Sequence, residues 1–287
     1  MKKKKRISTF NIINGILLGI FSIIVVYPLY YALIGSFNEG QDYLSGGVMF
    51  ITRKWTLTNY EVIFSDNALW HAFLVTIGRT VLGTITGLLF TAFVAYAMSR
   101  KNLKFRKGFT FLNLFTMFFG GGLVPYYLLI CITGLYDTFW VYIIPSLYSV
   151  YNMIVIRTSF SGINEEIHES ALIDGADEFR IWWSFYMPLS IPILATVGLW
   201  LSTGHWNGYF GTMIYTNGGN LTTLQYYLLQ IIKFGNTPSM KPELELIVTT
   251  ETLSFASIIV VTVPVLCFYP LIQKYYSGGM MIGSVKE

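Results

Sequence analysis

Charged residues are scarce in this chain, and their scarcity excludes most soluble folds. Only 12% of the 287 residues are charged, while 54% are hydrophobic. A soluble domain carries about 25% charged residues. The composition therefore predicts an all-α membrane protein with several spans, in which residues 1–287 form a single transmembrane domain.

Residues that carry chemistry are also few. Cys131 and Cys267 both lie in apolar segments, which indicates neither a disulfide framework nor a metal site. The three histidines are scattered, and neither H-E-x-x-H nor G-x-S-x-G occurs. The G-x-x-x-x-G-K-[ST] loop that holds ATP phosphates is missing as well. We therefore predict that the chain is not an enzyme and has no catalytic residue, no metal and no cofactor.

Long apolar runs are abundant, and a membrane helix needs about 20 such residues. The first run follows the basic segment 2–6, but it is too long for the apolar region of a cleaved signal peptide. We interpret it as an uncleaved membrane helix. The six predicted spans cover about residues 10–36, 70–98, 108–132, 138–158, 188–207 and 252–273.

The distribution of lysine and arginine predicts the orientation. With the N-terminus inside, the inner segments hold fourteen of the 19 basic residues, whereas the longer outer loops hold four. The positive-inside rule then predicts a multi-pass membrane protein with both termini cytoplasmic. Because the basic residues flank spans instead of forming a stripe with interleaved aromatics, no nucleic-acid partner is predicted.

An acidic segment at about residues 161–188 interrupts the apolar pattern. Asn164 is a suitable N-cap, and the two glutamates after it favour a helix over about 165–173. Asp174-Gly175 then predicts a turn, followed by a second helix over about 176–187. A helix resting on lipid headgroups would favour basic residues on its polar face. The acidic hairpin therefore indicates docking to a soluble protein.

This hairpin resembles the EAA loop of ABC importer permeases. In that loop Glu-Ala-Ala is followed, after three residues, by Gly and, after nine more, by Ile-x-Leu-Pro. Three residues depart from the pattern but resemble the expected residues in size or hydrophobicity: Ser170, Phe185 and Met187. The Asp174-Gly175-Ala176 core also matches. The corresponding positions hold Glu169, Ser170, Ala171, Gly175, Phe185, Met187 and Pro188.

Other motifs extend the resemblance to carbohydrate importer permeases of the maltose-permease type. The run Gly120–Pro125 is similar to the branch for complex oligosaccharides and polysaccharides. The remaining motifs are Leu57–Tyr60, Ala95–Arg100, Trp206-Asn207, Gln273–Tyr275, Gly279 and Met281–Lys286.

The resemblance implies a type I ABC importer permease fold, a function in carbohydrate import and a location in a prokaryotic plasma or inner membrane. In this family two related permeases form the pore, two ATPase subunits drive it, and an external solute-binding protein delivers the sugar. An ion-coupled secondary sugar transporter is the alternative, although no acidic residue lies within a predicted span. The residues that the resemblance assigns to ATPase coupling are Glu169, Ser170, Ala171, Asp174, Gly175, Ala176 and Pro188.

The substrate path is predicted from residues with unusual properties for a membrane span. Gly120–Gly122 either allow close helix packing or form an unwound segment that exposes carbonyl groups. Arg79 is costly in lipid, so it snorkels to the interface or faces a cavity or a partner chain. Trp206 and Asn207 are an interfacial anchor or a gate. Tyr126 and Tyr127 are predicted to line the path beside the glycines.

Overall fold

The computed structural model of the chain describes residues 9–48, 50–238, 240, 244 and 247–279. The basic segment 2–6 and the tail motif at 281–286 therefore lie outside the described residues. Within the described part, regular structure is helical apart from one isolated antiparallel β-bridge between Asn38 and Trp55. The α-helices are α1 (Thr9–Ser36), α2 (Gly40–Leu44), α3 (Thr58–Phe64), α4 (Asn67–Ser99), α5 (Arg106–Phe118), α6 (Leu123–Ile132), α7 (Val150–Ser161), α8 (Glu165–Ile173), α9 (Glu178–Ile181), α10 (Met187–Leu189), α11 (Ile191–Asn207), α12 (Phe210–Tyr215), α13 (Leu224–Phe234) and α14 (Thr250–Gly279).

Shorter helical turns connect several of these helices. A π-helical turn at Trp182–Tyr186 joins α9 to α10. The 3-10 turns are Phe139–Tyr142, Ile144–Ser146 and Gly219–Leu221.

The apolar segments form two kinds of membrane helix. In α1, in α4 and at Thr250–Cys267 of α14, the helix is long and apolar enough to cross a membrane. The third, fourth and fifth predicted spans instead fall on bent pairs. The bend is 112° between α5 and α6, 48° between Phe139–Ser146 and α7, and 86° between Glu178–Leu189 and α11. The all-α architecture is confirmed, with six spans when each bent pair of the described residues counts as one, but the third, fourth and fifth spans are not straight helices.

Local backbone chemistry explains the sharpest bend. Residues 119–122 between α5 and α6 are not helical. Gly122 has a φ of 82°, a conformation that strains any residue with a Cβ. A run of three glycines is also a poor helix former, so little stability is lost when the helix is interrupted there. The bend therefore occurs where the sequence resists helix formation.

One compact unit consists of residues 1–67 and 228–263. In this unit α1 approaches α14 so closely that a Cβ on Gly35 would lie 2.6 Å from the ring of Phe255. The Nδ2 of Asn59 donates hydrogen bonds to the carbonyls of Ser36 and Asn38, at 2.9 and 3.0 Å. Thr252 donates to the Oδ1 of Asn59 at 2.9 Å. A buried asparagine thus fastens the loop after α1 to the first turn of α14.

The second unit consists of residues 68–227 and 264–287. Its larger core lies where the last turns of α4 meet α7, the first turns of α11 and the segment Glu165–Leu189. Aromatic rings dominate this core, and Tyr186 packs edge-on against both Tyr96 and Phe160, with ring centroids 4.8 and 5.6 Å apart. A smaller core gathers Ile130, Val141, Tyr142, Ile143 and Tyr215.

Candidate coupling and translocation sites

The coupling hairpin, here residues 164–189, is built by local capping. The helix predicted over 165–173 is confirmed as α8, and the side chain of Asn164 accepts a hydrogen bond from the amide of Glu166 at 3.3 Å. Gly175 has a φ of 80°, and the amide of Ala176 donates to the carbonyl of Ala171 at 3.0 Å. These bonds end α8 and turn the chain sharply, as a C-terminal glycine cap does.

The second helix of the hairpin differs from the prediction of 176–187. It begins at Glu178 because Asp177 caps it by accepting from the amide of Arg180 at 2.7 Å. It also continues beyond Pro188 to Leu189. The preceding π turn already interrupts the regular backbone bonding, so a proline without an N–H is tolerated there.

A partly buried polar contact fixes the base of the hairpin to the end of α4. The hydroxyl of Tyr96 donates to Oε2 of Glu178. The Nε2 of His168 lies 3.3 and 3.2 Å from the two carboxylate oxygens of the same glutamate. Tyr96 and His168 are 4% and 5% exposed. One carboxylate therefore joins α4, α8 and α9.

Two basic residues after α4 add to this attachment. Arg100 donates to the hydroxyl of Tyr186 at 2.8 Å, and Lys101 donates to Glu165 at 2.5 Å. The hydrogen bond from the Lys101 ammonium lowers the pKa of Glu165 below its ordinary value. Sequence reasoning missed these partners, because the contacting residues lie 64 to 86 positions apart.

Other side chains of the hairpin are exposed in the described part of the chain, although the ring of Phe179 contacts that of Trp182, with centroids 5.3 Å apart. Glu169 is exposed on α8 and makes no hydrogen bond or ion pair there. Ile173 is 86% exposed and Phe179 is 60% exposed. The surface thus combines a carboxylate with apolar side chains on a helix whose base is held rigidly. Of the predicted coupling residues, Glu169, Ser170, Asp174, Gly175 and Pro188 are exposed, Ala176 is half-buried, and Ala171 is buried in the core.

Arg79 is engaged by neighbours inside the second unit. It is 9% exposed and donates from Nη1 to the carbonyl of Gly208 at 2.7 Å. Its guanidinium carbon lies 4.7 Å from the centre of the Tyr142 ring, a cation–π geometry. The cation therefore binds the carbonyl at the C-terminal end of α11, where it complements the helix dipole.

Two glycines that sequence reasoning missed make this arrangement possible. A Cβ on Gly208 would lie 2.3 Å from Nη2 of Arg79, and a Cβ on Gly83 would lie 2.4 Å from the ring of His205. A side chain at Gly208 would displace the guanidinium of Arg79, and one at Gly83 would displace the ring of His205. No local pattern distinguishes these two glycines from the others in the sequence.

Trp206 and Asn207 are likewise held by neighbours. Trp206 is 8% exposed and packs edge-on against Phe73, with ring centroids 6.0 Å apart. Asn207 accepts a hydrogen bond from Gln225 at 3.2 Å. Trp206 also lines an apolar cleft of about 630 Å³ between α4, α11 and the segment Pro264–Val265 of α14.

Gly120–Gly122 form the unwound segment between α5 and α6. Within the described residues, nothing lies within 4 Å of a Cβ placed on Gly120 or Gly122. After the segment, Tyr126 and Tyr127 pack against Tyr215, with ring centroids 5.9 and 6.4 Å apart. Tyr215 shares its cluster with Tyr142, over which Arg79 lies. The structure thus connects the tyrosines to the arginine, while Trp206 and Asn207 are held by other neighbours.

Comparison with known proteins gives full-length matches. A family model described as "Binding-protein-dependent transport system inner membrane component" matches residues 87–281. The "Polygalacturonan/rhamnogalacturonan transport system permease protein YtcP" of Bacillus subtilis (strain 168) is 33% identical, over 96% of this chain and 97% of that protein. "Protein LplC" of the same organism is 32% identical, over 100% of this chain and 98% of that protein.

A solved structure supports the same relationship. It is described as a bacterial ABC transporter involved in the import of the acidic polysaccharide alginate. The matching chain is 32% identical, with a TM-score of 0.87, over 96% of this chain and 99% of that chain. Both the sequence and the fold therefore match along nearly the whole length.

Proposed function

We propose a transport function for this chain, which belongs to the family of binding-protein-dependent transport system inner membrane components. The chain is a permease subunit of an ATP-driven importer. It forms half of the pore with a second, related permease. Two separate ATPase subunits supply the energy, and an extracytoplasmic solute-binding protein delivers the substrate.

The observation that carries this proposal is the coupling hairpin. Its base is fixed to α4 by Glu178, and its outer face exposes Glu169, Ile173 and Phe179. A rigid, half-apolar surface that no described residue covers suits a soluble protein that must pull on the membrane helices. We assign the coupling role to this surface and place it, with both termini, in the cytoplasm.

The proposed substrates are oligosaccharides that contain uronic acid. One full-length relative is named for polygalacturonan and rhamnogalacturonan, and the matching structure is described for alginate. Both names denote polymers with carboxylated sugars. The similarity to each of these proteins spans 96% of the chain, which supports a shared class of substrate.

The test is ATP hydrolysis by the complete transporter reconstituted in vesicles. The cognate binding protein is added empty, with oligogalacturonate, or with a neutral maltooligosaccharide of similar length. We expect oligogalacturonate alone to stimulate hydrolysis. Stimulation by the neutral sugar alone would refute the substrate class, and hydrolysis that no loaded binding protein stimulates would refute the importer assignment.

Attachment of the ATPase is tested separately by crosslinking. A cysteine replaces Ile173 in a chain from which Cys131 and Cys267 have been removed. We expect this cysteine to crosslink to an ATPase subunit, whereas a cysteine at Ser161, which is exposed at the end of α7, serves as the control. A crosslink to the binding protein instead would place the hairpin outside the cell and contradict the proposal.

A further inference from the structure

The loop that follows α1 folds back along the helix that precedes it. Thr52 donates a hydrogen bond to the carbonyl of Ile34 at 2.9 Å, and the hydroxyl of Tyr30 donates to the carbonyl of Phe50. Tyr30 lies six residues before Ser36, the last residue of α1, which corresponds to about 9 Å along the helix axis at 1.5 Å per residue. Phe50 therefore lies beside α1 more than one turn before the helix ends.

This level of α1 belongs to the membrane. The helix is long and apolar enough to cross a bilayer, and Tyr27, Tyr30 and Tyr31 gather near its C-terminal end. Tyrosines are enriched where the hydrocarbon meets the headgroups. Val26 and Ile23 lie four and seven residues before Tyr30, hence on the same face, and they are 58% and 69% exposed. The face of α1 that holds Phe50 thus continues into an exposed apolar surface.

The charged residues of the loop lie at its base, near the end of α1. They form two ion pairs: Asp42 with Arg53 at 2.9 Å and Glu39 with Lys54 at 3.7 Å. Asn38, two residues beyond α1, accepts from the amide of Arg53 at 2.9 Å and fixes this base in place. Residues 43–52, between the two halves of the base, include no charged residue. The loop is therefore charged beyond the end of α1 and uncharged where it runs beside the helix.

The loop tip, defined as Phe50 and Ile51, presents two large apolar side chains. They are 68% and 73% exposed, whereas Val48 in the same loop is 2% exposed. Exposed apolar side chains gain free energy when lipid replaces the water around them. An unpaired carbonyl would be costly in lipid, but the carbonyl of Phe50 already accepts from Tyr30. Both the side chains and the backbone of the tip therefore suit a lipid environment.

We infer that the loop tip inserts into the lipid bilayer beside α1, at the boundary between headgroups and acyl chains, and that Tyr30 holds it at this depth. The inference rests on the proposed function only for the leaflet, which is the outer one because the N-terminus is placed in the cytoplasm. Gly40 of the same loop donates to the carbonyl of Ile247 at 2.6 Å, shortly before α14 begins. The anchored loop thus also fixes the start of α14 at the bilayer surface.

The experiment measures what surrounds a nitroxide label at the tip. Ile51→Cys is labelled in a complete transporter that is otherwise free of cysteine and is reconstituted in vesicles of phosphatidylglycerol and phosphatidylcholine. Power saturation of the EPR signal compares collisions with oxygen, which concentrates in lipid, and with a water-soluble nickel chelate. Matched labels replace Val26 and Glu61, two exposed residues that give the lipid and the water reference.

We expect the ratio of oxygen to nickel collisions at position 51 to exceed that at position 61 several-fold, as it does at position 26. Phe50→Cys should give the same result and guards against a distortion caused by one label. Frequent collisions with nickel at both tip positions would place the tip in water and overturn the inference. Few collisions with either reagent would also overturn it, because the second permease or the binding protein would then cover the tip.

Tyr30→Phe tests what sets the depth of the tip. It deletes only the hydroxyl that donates to the carbonyl of Phe50, and it should lower the ratio at position 51 toward that at position 61. Tyr151→Phe, at an exposed tyrosine of α7, is the matched control and should leave the ratio unchanged. Equal ratios in the two variants would overturn the role of Tyr30. Collisions are measured without transport, so a failure of the proposed import function would leave these results readable.

Discussion

Removing the hydroxyl of Tyr96 tests how firmly the coupling hairpin is attached. Tyr96→Phe keeps the ring that packs against Tyr186 and deletes only the hydrogen bond to Glu178. A hydrogen bond to a charged group contributes about 1.5–3 kcal/mol. The side chain of Glu178 is 59% exposed, so water replaces part of the bond and the lower limit applies. A loss of about 1.4 kcal/mol raises the opening equilibrium of the hairpin about tenfold.

Hydrogen exchange of the amides in α8 measures this equilibrium in the reconstituted transporter. We expect about tenfold faster exchange in Tyr96→Phe, together with weaker stimulation of ATP hydrolysis. Tyr151→Phe is the matched control, because Tyr151 is 54% exposed and its hydroxyl has no hydrogen bond within the described residues. Exchange in Tyr96→Phe that equals this control would refute the reasoning.

A double-mutant cycle tests whether Glu178 is the partner through which the Tyr96 hydroxyl acts. If Tyr96 acts through Glu178, then Tyr96→Phe should have little further effect in a Glu178→Ala background, which has no side-chain acceptor. Fully additive effects on exchange would mean that the two residues stabilise the hairpin independently, and the contact would have to be reinterpreted.

Three further substitutions test other parts of the molecule. Glu169→Lys reverses the charge on the exposed face of α8 and should dissociate or uncouple the ATPase, measured by co-purification of the ATPase subunits. Gly121→Leu adds a side chain to the unwound segment and should abolish uptake of labelled oligosaccharide while the complex still assembles, since only Pro125 approaches a Cβ there, at 3.8 Å. Gly208→Ala displaces the guanidinium of Arg79 from the carbonyl of residue 208. Because a hydrogen bond from a charged group contributes about 1.5–3 kcal/mol, this variant should lower the thermal midpoint of the complex by several degrees.

Each of these substitutions has a control and an opposing outcome. Glu61→Lys makes the same charge reversal at an exposed residue of α3, and normal ATPase binding by Glu169→Lys would remove Glu169 from the interface. Failure of Gly121→Leu to assemble would favour close helix packing at the glycines. Gly204→Ala lies on the same helix with nothing within 4 Å of its Cβ, so an equal loss of stability in both alanine variants would reject the role of Gly208.

Local signals explain which parts of the structure could be predicted from the sequence. The bounds of α8 follow from Asn164 at one end and Gly175 at the other, and both act within a few residues. The spans follow from apolar length, which needs no knowledge of neighbours. The resemblance to importer permeases is confirmed by the family model that matches residues 87–281 and by a relative that is 33% identical over 96% of this chain.

The remaining features depend on contacts between distant residues. Hydropathy averages over a window, so it registers the third span but not the 112° bend within it. The partner of Arg79 lies 129 positions away, at a glycine with no distinguishing neighbours in the sequence. The cost of a charge in lipid predicted that this arginine must find polar partners, and a backbone carbonyl and a tyrosine ring are the partners that the described residues supply.

The unbroken length of α4 has a mechanical consequence. The helix runs for 33 residues without a proline, and Tyr96 and Arg79 lie on it about 25 Å apart at 1.5 Å per residue. If the helix pivots by about 10° at Tyr96, Arg79 is displaced sideways by about 4 Å. That distance exceeds the 2.7 Å that separates the guanidinium from the carbonyl of Gly208. The far end of α11 must therefore swing together with α4, or this bond must break in every cycle.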